Sequence, residues 1–337
     1  VLLRMPPCNA LLVLTLLLAC FSLSQADSKP IMVIDLFRHG ARAAYIDTWD
    51  TTKVWTKNLG ELTNSGMRMH YLLGQKLAQD YPELLGDFDP SRLSIYSTDV
   101  NRTIMSAYSH LYGMFSKMKT PLDDHQKKIA LPPGLENINV SDYIQDNFSL
   151  PNGVQAVPVH IIGRERDYSI AADAGCKNFQ SIWQGNLNSS KFQEFLNITK
   201  DTRTMIENYA KEYNITIPDL WNYGILADTL ISNYYENLAP PVNVSYGSKE
   251  WNDLMFFNQW MVTYAYSGEL KHLQLMSYNL FQRMFDQLNG KINGTFNKSW
   301  SILSAHDTTL LPILAGLGVT TVECMRDKYL GKNNDPQ

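Results

Sequence analysis

The sequence predicts an α/β fold with a mostly parallel central sheet, helices on both of its faces, and an inserted, mainly helical cap domain. Three segments share one layout, in which a short run rich in β-branched and large apolar residues ends in polar residues. These runs are PIMVIDLF, RLSIYS and KSWSILSA, and they lead into RHGAR, TDVNRTIMSAYSHLYGMF and HDTTLLPILAGLGV. A strand that passes into a helix, repeated along a chain, is typical of a parallel sheet.

The segments after the second and third runs have helical apolar spacing from their first residues. Thr98 or Asp99 is the predicted N-cap of the first of these helices, and Asp307 or Thr308 that of the second. The carboxyl ends of parallel strands meet at one edge of a sheet. Polar residues that follow the three strands can therefore converge, although they are far apart in the sequence.

Between the first two strands, an amphipathic helix is predicted from about Ser65 to Asp80, opened by the Thr-Asn pair that precedes it. The predicted α/β domain is discontinuous and covers residues 29–126 and 250–337. A helical cap is predicted over residues 127–249, because aromatic residues, asparagines and stretches of helical spacing dominate there and parallel-strand signals are scarce.

The N-terminal segment has the layout of a secretory signal peptide over residues 1–26. An apolar run from Ala10 to about Leu23 is followed by small residues that predict cleavage after Ala26. The run is too short for a comfortable membrane span. An N-terminal anchor or a buried helix is the less favoured alternative, so we expect a secreted or lysosomal protein with no membrane anchor after cleavage.

Composition narrows the class of protein. The formal net charge is -4, and removal of residues 1–26 changes it to -5, a mildly acidic balance that predicts no nucleic-acid binding. Two cysteines, Cys176 and Cys324, follow the signal segment, and in an oxidising compartment they either pair with each other or one lacks its partner. Nine N-x-[ST] sequons fit a glycoprotein, at Asn101, Asn139, Asn147, Asn188, Asn197, Asn214, Asn243, Asn293 and Asn297.

Six charged or titratable residues follow the predicted strands: Arg38, His39, Arg42, Arg102, His306 and Asp307. A guanidinium presents a planar fork of donors that matches two phosphate oxygens, so three arginines around one point predict a site for a phosphate dianion. Like charge disfavours a protonated His39, which predicts a neutral imidazole able to attack phosphorus. Asp307 could supply a proton to the leaving oxygen, and His306 adds a further donor.

The other five histidines, His70, His110, His125, His160 and His272, are predicted to be structural or exposed. The sequence has no H-E-x-x-H, paired C-x-x-C, G-x-S-x-G or phosphate-loop motif, so no metal site is predicted. A metal-dependent phosphohydrolase built on the His-Asp pair is a weaker alternative, because it leaves RHGAR unexplained. The Asn101 sequon lies beside Arg102, and we expect it to be unglycosylated, since a glycan there would obstruct the site.

The segments RHGAR (Arg38–Arg42) and SAHDTT (Ser304–Thr309) resemble the two signatures of the histidine acid phosphatases, a branch of the histidine phosphatase superfamily. The segments LTNSGMRMHYLLG, STDVNRTIMSA and VPVH are similar to parts of the lysosomal and prostatic type, and the resemblance extends from Ile31 to about Val319. It implies no metal or organic cofactor and an acidic pH optimum. It assigns His39 as the nucleophile that becomes phosphohistidine and Asp307 as the general acid. The phosphoryl group would be held by Arg38, Arg42, Arg102 and His306.

The expected function is therefore a secreted or lysosomal acid phosphatase that acts on small orthophosphoric monoesters. One alternative is an inositol-phosphate phosphatase of the same fold, similar to a phytase, and another is an inactive extracellular glycoprotein. The resemblance also implies a homodimer as one oligomeric state, although no surface patch in the sequence decides it. Members of the family continue further beyond the His-Asp pair, and the counterpart of Cys176 pairs near their C-terminus, so the resemblance implies a C-terminus that is either truncated or divergent here.

Overall fold

The structure is a computed structural model that describes residues 29–46, 54–55, 58–118, 121–135, 137–142 and 147–331. The predicted signal peptide lies outside these residues. The strands are β1 (Val33–Arg38), β2 (Leu93–Thr98), β3 (His160–Ile162) and β4 (Trp300–Ala305). They form one sheet in the order β1-β4-β2-β3, and all of its pairs are parallel. The predicted α/β fold with a parallel sheet is confirmed.

Thirteen α-helices occur in the part of the chain that the structure describes. They are α1 (Asn64–Asp80), α2 (Pro82–Leu85), α3 (Asn101–Met114), α4 (Asp124–Ile129), α5 (Ala172–Gly175), α6 (Phe179–Leu187), α7 (Ser190–Ile198), α8 (Lys200–Glu212), α9 (Leu220–Tyr235), α10 (Lys249–Ser267), α11 (Leu270–Asn293), α12 (Asp307–Gly316) and α13 (Val322–Tyr329).

The central strand β4 is buried along its whole length, because helices cover both faces of the sheet. On one face, Trp300 and Ile302 pack in a core with residues of α1 and α3. On the other face, Leu303 and Ala305 pack with residues of α11 and α12. Successive side chains of a strand point to opposite faces, so a strand covered on both sides becomes a nearly continuous apolar run. This is why WSILSA carries no alternation of polar and apolar residues.

The two helices that follow β1 and β2 cross at a close contact made by glycines. A Cβ atom placed on Gly74 of α1 would lie 2.0 Å from the carbonyl oxygen of His110, and one placed on Gly113 of α3 would lie 1.9 Å from that of Tyr71. Only the absence of a side chain lets the two backbones approach this closely. The contact holds α1 directly against α3.

A second core joins helices α7 to α10 with α13. It is built from large buried side chains such as Phe192, Phe195, Leu230 and Trp260, together with Val322. Trp260 and Val322 lie after residue 250, where the predicted cap ends, so the helical core includes residues on both sides of that boundary. The division of the chain into domains stays a prediction.

Three local features differ from the prediction. The edge strand β3 lies inside the segment assigned to the helical cap, and its three residues pair with Tyr96–Thr98 of β2. The N-cap of α3 is Val100, and that of α12 is His306. The Thr98 hydroxyl is used in contacts described below, and Asp307 and Thr308 already belong to the first turn of α12. The predicted start of α1 is confirmed, with Thr63 as its N-cap.

Cys176 is half-buried and Cys324 is exposed, and both are free thiols. The alternative in which the two cysteines pair with each other is therefore absent from this structure. None of the helices in the described residues is both long and apolar enough to cross a bilayer.

Candidate active site

The loop that follows β1 is tied to the other two strand ends by its backbone. The N–H of His39 donates to the carbonyl of Ala305 at 3.0 Å, and the N–H of Gly40 donates to Oγ of Ser106 at 3.1 Å. Ser106 in turn donates to the carbonyl of Arg102 at 2.7 Å. The three segments that the sequence analysis placed at one edge of the sheet are therefore brought together by direct hydrogen bonds.

The loop is also pressed against the start of α1. A Cβ atom on Gly40 would lie 2.4 Å from the carbonyl oxygen of Gly66, and one on Gly66 would lie 2.1 Å from that of Ala41. Thr63 caps α1 by accepting from the N–H of Gly66, and its hydroxyl donates to the carbonyl of Ala41 at 3.1 Å. The glycine in RHGAR thus permits a close approach of two backbones.

His39 is buried, with 4% of its surface exposed. Its Nδ1 atom lies 2.9 Å from the carbonyl oxygen of Gly40. A carbonyl can only accept, so Nδ1 carries the proton and Nε2 of the neutral ring keeps a free electron pair. Burial, followed by the charge of Arg38, holds the pKa of His39 far below its ordinary value. His39 is thus held as a neutral imidazole, and burial contributes more to this than the like charge that the sequence suggested.

The Nε2 atom of His306 lies 2.9 Å from Oγ1 of Thr98, which lies 2.8 Å from Oγ1 of Thr103. The Thr103 hydroxyl donates its one proton to backbone carbonyls, the nearer being that of Val100 at 2.7 Å. Thr98 must therefore donate to Thr103 and accept from His306, which places a proton on Nε2 of His306. Burial and the nearby Arg102 lower the pKa of His306 to about 3.

Asp307 is the first residue of α12, and its Oδ2 accepts from Nε of Arg38 at 2.9 Å. Its Oδ1 accepts from the N–H of Thr308 at 2.9 Å. Burial alone would raise the pKa of the Asp307 carboxyl, but the Arg38 guanidinium outweighs burial and holds that pKa below its usual range. In the free protein Asp307 is therefore a carboxylate at mildly acidic pH.

The other two arginines complete a crowded group of cations. Arg42 forms two hydrogen bonds with Asp228 of α9, at 2.7 and 3.1 Å. Burial, with the charges of Arg42 and Arg38, lowers the pKa of Arg102 to about 10. The Nε atoms of Arg42 and Arg102 are buried without an acceptor among the described residues. Buried, charged donors without partners are costly in a protein and fit an anionic ligand.

A cavity of about 150 Å³ opens beside this group. His39, Arg38 and Arg42 line one side, and Met69, Asp228 and Tyr235 are among the residues that line the rest. Its walls combine cations with apolar side chains, as expected for a small-molecule site.

Three supporting residues were not identified as part of the site from the sequence: Thr98, Asp228 and His70. His70 donates from Nε2 to the carbonyl of Arg38 at 3.0 Å, from beneath the loop. From the sequence, Thr98 was interpreted as a helix cap and His70 as a structural histidine. The one feature that could have pointed to Asp228 is its position as an acidic residue inside an apolar helical stretch.

Within the described residues, no group of three or more His, Cys, Asp or Glu side chains is arranged to hold a metal ion. The expectation of a reaction without a metal stays a prediction.

Three guanidinium groups around a neutral imidazole form a site suited to a phosphoryl group, and comparison with known families is consistent with this. The model of the histidine phosphatase superfamily (branch 2) matches residues 43–329, so the chain belongs to this superfamily. The resemblance stated from the sequence motifs is confirmed.

Curated relatives are named acid phosphatases. Putative acid phosphatase 5 of Caenorhabditis elegans is 26% identical over 84% of this chain and 60% of its own length. Prostatic acid phosphatase of Homo sapiens is 30% identical, over 84% and 68%. Lysosomal acid phosphatase of Rattus norvegicus is 24% identical, over 84% and 62%. This chain thus spans about 60 to 68% of the length of these relatives.

Solved structures share the fold. A phytase from Citrobacter braakii aligns with a TM-score of 0.56 and 14% identity, over 86% of this chain and 76% of its own. A multiple inositol polyphosphate phosphatase from Bifidobacterium longum, in complex with phosphate, aligns with a TM-score of 0.52 and 12% identity, over 89% and 78%. Identities this low establish the fold and leave the substrate open.

Proposed function

We propose that this protein is an acid phosphatase that hydrolyses orthophosphoric monoesters through a phosphohistidine on His39. The observation that carries the proposal is a buried, neutral imidazole with a free Nε2 electron pair beside three arginines. A nucleophile for phosphorus needs such an electron pair, and a phosphoryl dianion needs several fixed positive charges around it.

Two in-line displacements account for the reaction. In the first, Nε2 of His39 attacks phosphorus, the bond from phosphorus to the ester oxygen breaks, and Asp307 gives a proton to the departing alcohol. In the second, water attacks the phosphohistidine, the bond from phosphorus to nitrogen breaks, and Asp307 takes a proton from the water. Arg38, Arg42 and Arg102 would hold the phosphoryl oxygens in both steps. His306 already donates from Nε2 to Thr98, so it would donate to a phosphoryl oxygen only from its other ring nitrogen, in the protonated form that a bound phosphoryl charge favours.

The proton on Asp307 has to arrive with the substrate, because its pKa in the free protein is held low by Arg38. A phosphate monoester has a second pKa of about 6, so below that pH most of it is a monoanion that carries one proton. Binding of the phosphoryl group beside Asp307 places like charge next to the carboxylate and raises its pKa. Transfer of the substrate proton to Asp307 would then prepare the general acid, which gives an acidic optimum.

Two alternatives remain as hypotheses. Some solved neighbours are named phytases, but at 14% identity they show the fold alone, and an inositol-phosphate phosphatase stays a hypothesis. An inactive extracellular glycoprotein would not need a buried imidazole among unpartnered guanidinium donors. We favour secretion or lysosomal delivery, since relatives are named prostatic and lysosomal acid phosphatases and residues 1–26 have the pattern of a signal peptide. Whether the protein is a homodimer stays open.

The test is hydrolysis of p-nitrophenyl phosphate against pH, with and without EDTA, beside a His39→Ala control. We expect activity that peaks at acidic pH, is unchanged by EDTA and is absent from the variant. Activity in folded His39→Ala protein equal to that of the parent would overturn the phosphohistidine mechanism. If the parent protein is folded at every pH tested and still hydrolyses nothing, the result would favour the hypothesis of an inactive extracellular glycoprotein.

A further inference from the structure

The backbone of Arg42 is fixed by the segment before α1. Arg42 and Leu62 form an isolated antiparallel bridge, and the N–H of Ala43 donates to the carbonyl of Glu61 at 2.9 Å. These hydrogen bonds fix the main chain of Arg42 but do not restrict rotation about the several single bonds of its long side chain. An arginine that must meet a phosphoryl oxygen needs a further partner to reduce this freedom.

Asp228 of α9 is that partner. Its Oδ1 accepts from Nη2 of Arg42 at 2.7 Å and its Oδ2 accepts from Nη1 at 3.1 Å. The two side chains are only 13% and 21% exposed, so water and salt screen the pair weakly. The N–H of Tyr45 also donates to Oδ2 of Asp228, at 2.8 Å. The carboxylate is thus held in one orientation, and it holds the guanidinium in turn.

We propose that Asp228 is a positioning residue, through which α9 aims Arg42 at the phosphoryl group. Asp228 and Arg42 line the same cavity as His39. The ion pair engages the Nη atoms and leaves Nε of Arg42 buried without an acceptor among the described residues, ready for another oxygen. This inference rests on the proposed function, because it assumes that Arg42 contacts phosphate.

A second contact with α9 is made by Trp55, which packs against Ala43 and Ala44 of the loop, and it distinguishes the positioning of Arg42 from the mere attachment of α9. Nε1 of Trp55 donates to Oδ1 of Asn233 at 2.7 Å, and both residues are buried. Asn233 also donates to the carbonyl of Ala239 at 2.6 Å. Asn233 therefore attaches α9 to the same loop through Trp55, and in the described part of the chain its side chain bonds to Trp55 and Ala239 rather than to Arg42, so Asn233→Ala is the matched control.

The experiment measures binding of inorganic phosphate by calorimetry and hydrolysis of p-nitrophenyl phosphate. Asp228→Asn keeps the shape of the side chain but removes its charge and one acceptor. We expect Kd for phosphate and KM to rise about tenfold, within the range found for coupled neighbours, with a smaller change in kcat. Asp228→Glu should recover part of the loss, and Asn233→Ala should lower Tm while Kd and KM stay unchanged.

A double-mutant cycle with Arg42→Ala completes the test. If Asp228 acts through Arg42, then Asp228→Asn adds no further rise in Kd in the Arg42→Ala background. A full rise in that background would overturn the inference, as would equal effects of the Asp228 and Asn233 variants on Kd, or tighter phosphate binding by Asp228→Asn. Phosphate binding needs no turnover, so a protein that binds phosphate with this pattern but hydrolyses nothing would refute the proposed function and retain the inference.

Discussion

The Nε atom of Arg38 lies 2.9 Å from Oδ2 of Asp307, which joins the last residue of β1 to the first residue of α12 across 269 positions of the chain. The pair is half exposed, so its contribution to stability is small. Its chemical effect is larger, because it keeps Asp307 ionised in the free protein. A carboxylate in this state can act as a general acid only after the substrate has changed its surroundings.

The role of Asp307 as general acid predicts a dependence on the leaving group. Asp307→Asn should reduce kcat/KM for an alkyl ester such as glycerol 2-phosphate at least about tenfold more than for p-nitrophenyl phosphate, because p-nitrophenolate leaves without a proton. Steady-state kinetics over a series of aryl and alkyl phosphates measure this. Equal losses across the series would reject the assignment.

Much of the site followed from strand ends alone. Arg38, His39 and His306 lie at the carboxyl ends of β1 and β4, and the pairing of Arg38 with Ala305 brings these ends side by side. The geometry of a parallel sheet makes this convergence predictable before any contact is known. The proton positions, in contrast, depend on which carbonyls and hydroxyls the folded chain places beside each ring.

The sequence did not identify Thr98 and Asp228 as site residues, because their local surroundings predict other roles or none. Thr98 precedes a helix, where threonine is commonly a cap, and only the fold shows that its hydroxyl serves His306 instead. Asp228 lies 186 positions from Arg42, and no local pattern links the two. The strand β3 is three residues long, too short for any periodicity, and exists because β2 offers a partner edge.

The hydrogen bond between Thr98 and His306 predicts a loss of activity on removal of one hydroxyl. Thr98→Val keeps the branched shape but leaves Nε2 of His306 without its acceptor, so we expect kcat/KM to fall about tenfold, the cost of about 1.4 kcal/mol. The control is Thr229→Val, since Thr229 is fully buried and its hydroxyl donates to the carbonyl of Ile225 within α9. Both variants should lose some stability in urea, whereas only Thr98→Val should lose activity. Equal activity in the two would show that the bond does not matter to the reaction.

His70 predicts how stability depends on pH. Burial, followed by the neighbouring His110, lowers the pKa of His70 to about 4 from 6.5. Between those values the unfolded chain binds a proton that the folded protein resists, so the contribution of neutral His70 is complete above pH 6.5 and is lost as pH falls toward 4. The full effect is up to about 3 kcal/mol. His70→Gln, whose amide can still donate to the carbonyl of Arg38, should flatten the fall in unfolding free energy over this range.

Urea titrations between pH 4 and pH 7 provide the comparison, with His125→Gln as the control because His125 is exposed on α4. The control should keep the pH dependence of the parent. A slope that is the same in all three proteins would assign the acid sensitivity to other buried groups, such as His306 and His272, whose pKa values burial also lowers.

Substitution of glycine by alanine should destabilise the protein at the crossing of α1 and α3 and stabilise it at an open position of α6. In Gly113→Ala the new Cβ would meet the carbonyl oxygen of Tyr71 at 1.9 Å, so the helices must separate and the protein should lose about 1–3 kcal/mol of unfolding free energy. In Gly185→Ala the new Cβ meets nothing within 4 Å, and α6 should gain up to about 1 kcal/mol from the better helix former. Because α3 also carries Arg102 and Ser106 to the site, Gly113→Ala should lower kcat/KM in the protein that remains folded. Urea unfolding and p-nitrophenyl phosphate hydrolysis measure the two effects, and a Gly113→Ala variant as stable as Gly185→Ala would contradict the close contact between the helices.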